Sequence, residues 1–121
     1  MKRKMIFVLS VFLFLGFVSF NCYGQSNEAQ RIVGTWTGEY RDPTEIFDIT
    51  FNANGTYTMT GVDGFNKFDG VSGNWGIGGN KIYIEGFFVD SWDFFLSPDG
   101  KVLTLQTDER LVVPRFILKK R

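Results

Sequence analysis

At 121 residues, with 13 basic and 13 acidic side chains and no histidine, the chain has room for one domain at most. It has no surplus of clustered lysine and arginine to neutralise phosphates, which argues against nucleic acid as a partner. Its single cysteine, Cys22, rules out an internal disulfide, so a hydrophobic core alone must hold the fold.

Lys2, Arg3 and Lys4 open the chain, and Met5 to Phe20 is almost wholly apolar, broken by Ser10, Gly16 and Ser19. That run is shorter than the roughly 20 residues a membrane-spanning helix needs. Small and polar residues follow, from Cys22 to Asn27, and the pattern predicts a secretory signal over residues 1–24. Cleavage after Gly24 leaves a free protein beginning at Gln25. The alternative is lipidation of Cys22 as the new first residue, although Ser19-Phe20-Asn21 departs from the Leu-Ala-Gly type of approach. Either way the expected location is exported: periplasmic, secreted or anchored at the outer membrane of a bacterium, with lipid as the only membrane contact. Residues 25–31 then read as a short linker and 32–120 as the domain. Removing the leader takes three basic residues and no acidic one, leaving 10 against 13 and a formal charge of −3. The basic tip Lys119-Lys120-Arg121 reads as a solvated terminus.

From Ile32 onward apolar residues alternate with polar ones, and turn residues recur at short intervals, which predicts an all-β domain. Gly34, Trp36, Gly38 and Tyr40 share one face of a first strand, and glycines on that face predict close backbone approach. After Asp42-Pro43, Phe47, Ile49 and Phe51 alternate, and Asn52-Ala53-Asn54-Gly55 turns the chain into Thr56 to Thr60, with Gly55 taking positive φ. Gly61 to Gly64 and Phe68-Asp69-Gly70 bracket a short strand expected around Phe65 to Phe68. Val71, Gly73, Trp75 and Ile77 share the next face, and Gly78-Gly79-Asn80 leads into Lys81 to Glu85. Trp92, Phe94 and Leu96 alternate, Ser97-Pro98-Asp99-Gly100 turns the chain, and Leu103 and Leu105 point inward. The last strand is expected over Val112 to Lys120, with Pro114 at an edge or a strand start and Phe116 and Leu118 inside. Phe51 to Gly55 echoes Leu96 to Gly100, which reads as repeated hairpin chemistry.

Eight or so short strands joined by tight turns predict an up-and-down antiparallel barrel, a closure that removes exposed sheet edges; a two-sheet β-sandwich is the alternative. The stretches IVGTWTGEY, FDITFNANGTYTM, GNWGIGGNKIYI, LSPDGKVLTL and RFILKK, spread over Ile32 to Lys120, resemble the small bacterial lipocalin-like domains of secreted proteins and lipoproteins. The resemblance implies a lipocalin-like β-barrel and no particular activity. It departs from full lipocalins in length and in having no helix before the last strand.

An eight-strand barrel is just wide enough to be filled by side chains or to hold one small ligand. The many large inward residues favour filling, so a binding site is expected at one open end rather than in a deep cavity. Candidates for contact with a small apolar ligand or a protein partner are Trp36, Tyr57, Phe87, Phe88, Trp92 and Phe95. Phe87, Phe88 and Phe95 fall out of step with Trp92 and Phe94. Either they form an exposed rim, or a bulge near Val89-Asp90-Ser91 turns them into the core. A lipid-anchored envelope protein with an interaction or structural role is the second reading.

Catalysis has only carboxylates to draw on, so the chain reads as a non-enzyme, with a small hydrolase as the third reading. Asp90 with Asp93, or Asp108 with Glu109, are close in sequence, but nothing sets them across a cleft as hydrolysis of a glycoside requires. Asp63 and Asp69 lack the alternating ligands of a calcium loop. Gly76 to Gly79 is a turn with no following helix to bind phosphate, and Asn54-Gly55-Thr56 fits the glycosylation pattern because a tight turn needs it. No catalytic residue, metal ligand or cofactor is expected.

Overall fold

The computed structural model describes residues 27–111 and 113–121. The signal assigned to residues 1–24, Cys22 included, and Val112 lie outside the described residues. The chain divides into two units between Gln30 and Arg31. Asn27 to Gln30, the described part of the first, open a short helix α1 (Asn27–Ile32) of good helix formers, with Glu28 in the first turn and Arg31 in the last, as the helix dipole favours. Asn27 to Arg31, five of the seven residues of the expected linker, are therefore helical.

The second unit is a closed barrel of eight strands in sequence order, β1 (Gly34–Glu39), β2 (Ile46–Phe51), β3 (Thr56–Gly61), β4 (Val71–Gly78), β5 (Lys81–Ile84), β6 (Ser91–Leu96), β7 (Val102–Gln106) and β8 (Arg115–Lys120). Every neighbouring pair is antiparallel, and β8 returns to β1 through Trp36↔Lys120 and Thr37↔Lys119. The period-two pattern sorts the side chains as the pleat demands. Trp36, Phe47, Ile49, Phe51, Tyr57, Met59, Trp75, Ile82, Ile84, Trp92, Phe94, Leu103, Leu105, Phe116 and Leu118 are all buried. Leu96, expected with them, is only half-buried because β6 ends on it.

Gly38 shows why a glycine stands on an inner face. A Cβ there would meet Leu118 Cδ2 at 2.5 Å and Phe47 Cζ at 3.0 Å, so the space is already taken by neighbours' side chains. The two echoing hairpins also use the same chemistry. Gly55 N donates to Asn52 O at 3.1 Å, and Gly100 N donates to Ser97 O at 2.8 Å. Asn54 Oδ1 accepts from Thr56 N at 3.1 Å, which accounts for the Asn54-Gly55-Thr56 match.

One end of the barrel carries the chain ends of the unit and the turns at 52–55, 79–80 and 97–101; here it is the near end. Ile32, fully buried, accepts the Trp36 indole hydrogen bond at 2.8 Å, and Lys120 Nζ donates to Arg31 O at 2.9 Å while lying 5.2 Å from the Trp36 ring. Arg31 donates to Pro98 O at 2.9 Å. Trp36 is thus part of the seal at the near end. The far end carries the longer connections 40–45, 62–70, 85–90 and 107–114.

Three expectations at the far end are corrected. Phe65 to Phe68 is not a strand, because the chain reverses repeatedly between residues 62 and 70. Phe65 N donates to Val62 O at 3.1 Å, Asp69 N to Asn66 O at 3.2 Å and Val71 N to Phe68 O at 3.2 Å. The register change before Trp92 is not a bulge within a strand but a six-residue loop, 85–90, between β5 and β6. The last strand starts at Arg115, since Pro114 has no N–H to offer a ladder and its carbonyl instead accepts from Thr107 N at 2.9 Å.

Candidate functional site

The far end is built from rings. Phe65 and Tyr40 stack at 6.2 Å between centroids and 22° between planes, Tyr40 and Phe88 at 5.8 Å and 8°, and Phe88 and Phe116 at 5.8 Å and 21°. Four near-parallel rings therefore run in series across the barrel mouth, three from loops or a strand end and one from β8. Offset stacking at such distances is a favoured aromatic geometry. Beneath them Phe68 meets Tyr40 edge-on at 5.6 Å and Phe88 edge-on at 6.1 Å. Phe87, lower still, lies 5.1 Å from Phe116 and 5.5 Å from Trp92, and Phe47 lies 5.8 Å from Phe116. These contacts link β2, β6 and β8, so rings occupy the barrel axis below the stack.

The 85–90 loop explains how two adjacent phenylalanines part. Gly86 and Phe88 both have positive φ, 78° and 65°. Val89 N donates to Phe87 O at 2.7 Å, which makes Phe88 the middle residue of a γ-turn of the rare positive-φ kind. The same carbonyl accepts the Trp92 indole N–H at 3.2 Å. Pinned from both sides, the backbone sends Phe87 inward, where it is buried, and Phe88 up to the stack, where 42% of it stays exposed. A bulky residue at positive φ costs on the order of 1–3 kcal/mol and persists only when its surroundings over-determine it.

Two cations flank the central ring of this platform. Arg41 Cζ is 5.1 Å and Lys67 Nζ 5.4 Å from the Tyr40 centroid, within the range of cation–π attraction. Glu45 holds Arg41 in a two-point contact, Nε to Oε1 at 3.0 Å and Nη2 to Oε2 at 2.7 Å, and that hydrogen bonding and charge raise the guanidinium's pKa further. Lys67 has no acidic partner among the described residues.

Of the six residues expected at a site, the structure brings Phe87, Phe88 and Trp92 together, with only Phe88 exposed. Trp36 belongs to the near end. Tyr57 is buried in the wall, its hydroxyl donating to Glu85 O; burial, and then the charge of Glu85, push its pKa above the ordinary phenol value. Phe95 points away from the core on the outer wall of β6, 65% exposed. Tyr40, Phe65, Arg41 and Lys67 were not anticipated as site residues. Tyr40 carried a signal, since the alternation Trp36, Gly38, Tyr40 continues one step past β1. Among the carboxylates, Asp93 is turned outward into an ion pair with Lys81 at 2.8 Å, and Asp69 Oδ1 accepts from Gly61 N at 2.7 Å.

The fold and this platform define a small closed up-and-down β-barrel with an aromatic-capped end, an architecture consistent with a lipocalin-like fold. No protein family, curated protein or solved structure matches the chain.

Proposed function

We propose that the chain is an exported, lipocalin-like binding module that holds a small apolar ligand, or an apolar side chain of a protein partner, against the ring stack at its far end. The observation that carries this reading is Phe88, a large apolar residue left 42% exposed in a strained turn between two stacked neighbours. Strain of this kind concentrates at binding sites. The reading is of binding rather than turnover, because the chemistry gathered there is ring faces and two cations. Lys67 adds attraction for an acidic substituent on the ligand.

Titration of the 15N-labelled chain with indole and with indole-3-carboxylate tests it. Amide shifts are expected at Tyr40, Phe65, Lys67 and Phe88, larger with the carboxylate, and lost in Phe88→Ala. Shifts confined to other parts of the barrel, or none at millimolar fragment, would sink the proposal.

Export is proposed on the basic and apolar leader of residues 1–24. Intact-mass analysis of the chain recovered from an exporting bacterium is expected to show a start at Gln25. A start at Cys22 carrying the mass of a lipid would establish the anchored alternative, and an uncleaved chain would contradict both.

A further inference from the structure

The outer wall carries a second surface, which meets the ring stack only at Tyr40 and Arg41: an apolar row between two cations, running into a groove along the β1–β8 seam. Phe95 pairs with Thr104, and Thr104 with Ile117, so these three stand side by side across β6, β7 and β8. All three point away from the buried faces of their strands, and Phe95 and Ile117 are 65% and 49% exposed. Along β8, Ile117 lies between Arg115 and Lys119, which share its outward face. Neither has an acidic partner among the described residues, whereas Arg41, Lys81 and Arg121 are each ion-paired. An apolar centre with a charged rim is the usual anatomy of a protein-contact patch.

The seam beside this row is incomplete. The β1–β8 ladder holds Trp36↔Lys120 and Thr37↔Lys119 and stops there, although both strands continue. Beyond it a groove of about 790 Å³ opens, lined among others by Glu39, Arg41, Ile46, Arg115, Ile117 and Lys119. Arg41 is already neutralised by Glu45. The unpaired charges on the groove are thus Arg115 and Lys119 against Glu39, a basic balance on a chain whose residues 25–121 carry −3.

We infer that this groove and the adjoining row Phe95, Thr104 and Ile117 dock an extended acidic segment of another protein. On its face toward β8, every second side chain is in turn acidic, apolar and acidic, over Arg115, Ile117 and Lys119. The geometry matches the extended form: outward residues two apart on β8 repeat about every 6.6 Å, the step at which an extended chain repeats the side chains of one face. The charge selects the acid, and the part of β8 before Lys119, which has no ladder partner in β1, gives the segment's backbone a strand to lie beside, as in recognition by strand addition.

The test uses fluorescence anisotropy with a fluorescein-labelled ten-residue glutamate–valine peptide, Glu-Ser-Val-Ser-Glu-Ser-Val-Ser-Glu-Ser, whose every second residue runs acidic, apolar, acidic, and the chain as processed by an exporting host; the lysine–valine peptide replaces each glutamate by lysine. Binding is expected, weakening steadily between about 0.05 and 0.5 M salt, and weakening about tenfold or more in the double variant Arg115→Glu with Lys119→Glu. A lysine–valine peptide is expected to stay unbound. Near-UV circular dichroism checks that the variant is folded; if it is not, Arg115→Gln with Lys119→Gln takes its place, with a smaller loss expected. Undetectable peptide binding, equal binding by the folded variant, or equal binding of the lysine–valine peptide overturns the inference. So does capture of phosphatidylglycerol vesicles without the peptide, or a sedimentation shift showing that a second copy of the chain covers the row.

Discussion

Phe87→Ala is expected to lower the unfolding free energy by about 3–5 kcal/mol, while Phe88→Ala lowers it by about 1 kcal/mol. The residues are adjacent and chemically identical, so the difference isolates their surroundings. Phe87 is 2% exposed and its ring meets those of Phe47, Phe68, Phe88, Trp92 and Phe116 at 5.0–6.4 Å. Truncation there empties the axis of a barrel whose rigid walls can collapse only in part, so the transfer loss and the cavity cost add. Against a total stability of roughly 5–15 kcal/mol for a domain of this kind, that is a large fraction. Phe88 loses two offset stacks and two edge contacts, but much of its ring is already in water. Phe88→Gly refines the comparison: it removes the same ring yet relieves the positive φ, so it is expected to be about 1 kcal/mol more stable than Phe88→Ala. Urea unfolding of the three variants measures all of this. If Phe88→Ala proves as costly as Phe87→Ala, the exposed ring is core and the binding platform does not exist.

The pair also shows where sequence reading succeeds and where it fails. Strand faces were legible because burial repeats every second residue. Trp92 and Phe94 against Phe95, or Ile49 and Phe51 against Thr50, sort themselves by alternation alone, and Asn54-Gly55 and Asp99-Gly100 announce their turns. The wall contacts that follow from alternation are therefore local information; the outward turn of Phe95 follows only once β6 runs without a bulge. The ring stack is not local. Tyr40, Phe65 and Phe88 come from three separate connections and acquire a common direction only when the barrel closes. Nothing in the letters distinguishes Phe87 from Phe88, because the γ-turn that separates them depends on a carbonyl shared between Val89 N–H and the Trp92 indole. Trp36 and Tyr57 were legible as large inward residues. What alternation does not reveal is that each finds its polar partner inside the fold, Ile32 O and Glu85 O respectively.

Gly61 is the position where the fold tolerates least. Gly61→Ala is expected to cost about 3 kcal/mol, near the upper end for the insertion of one methyl group. A Cβ at this residue would stand 1.1 Å from Phe65 O and 2.3 Å from Phe65 C, and the obstacle is backbone, which has no rotamer to adopt. Either the 62–70 loop lifts from the end of β3, or Gly61 leaves its place opposite Phe47. Both routes break bonds that tie the loop down, Gly61 N to Asp69 Oδ1 at 2.7 Å and Val62 N to Ile46 O at 2.9 Å. Both also carry Phe65 away from Tyr40, so the ring stack shortens and indole binding weakens together with stability. Two other glycines separate crowding from strain. Gly64 has φ +89° but nothing within 4 Å of its would-be Cβ, so Gly64→Ala is expected to cost only the strain of positive φ, about 1 kcal/mol. Gly76 has open space and no positive φ, so Gly76→Ala is expected to fall within about 0.5 kcal/mol of the parent. Chemical denaturation of the three variants should rank them Gly61, Gly64, Gly76 in falling cost. A Gly61→Ala chain as stable as Gly76→Ala would mean that the 62–70 loop does not lie across β3, and the platform that Phe65 begins would lose its support.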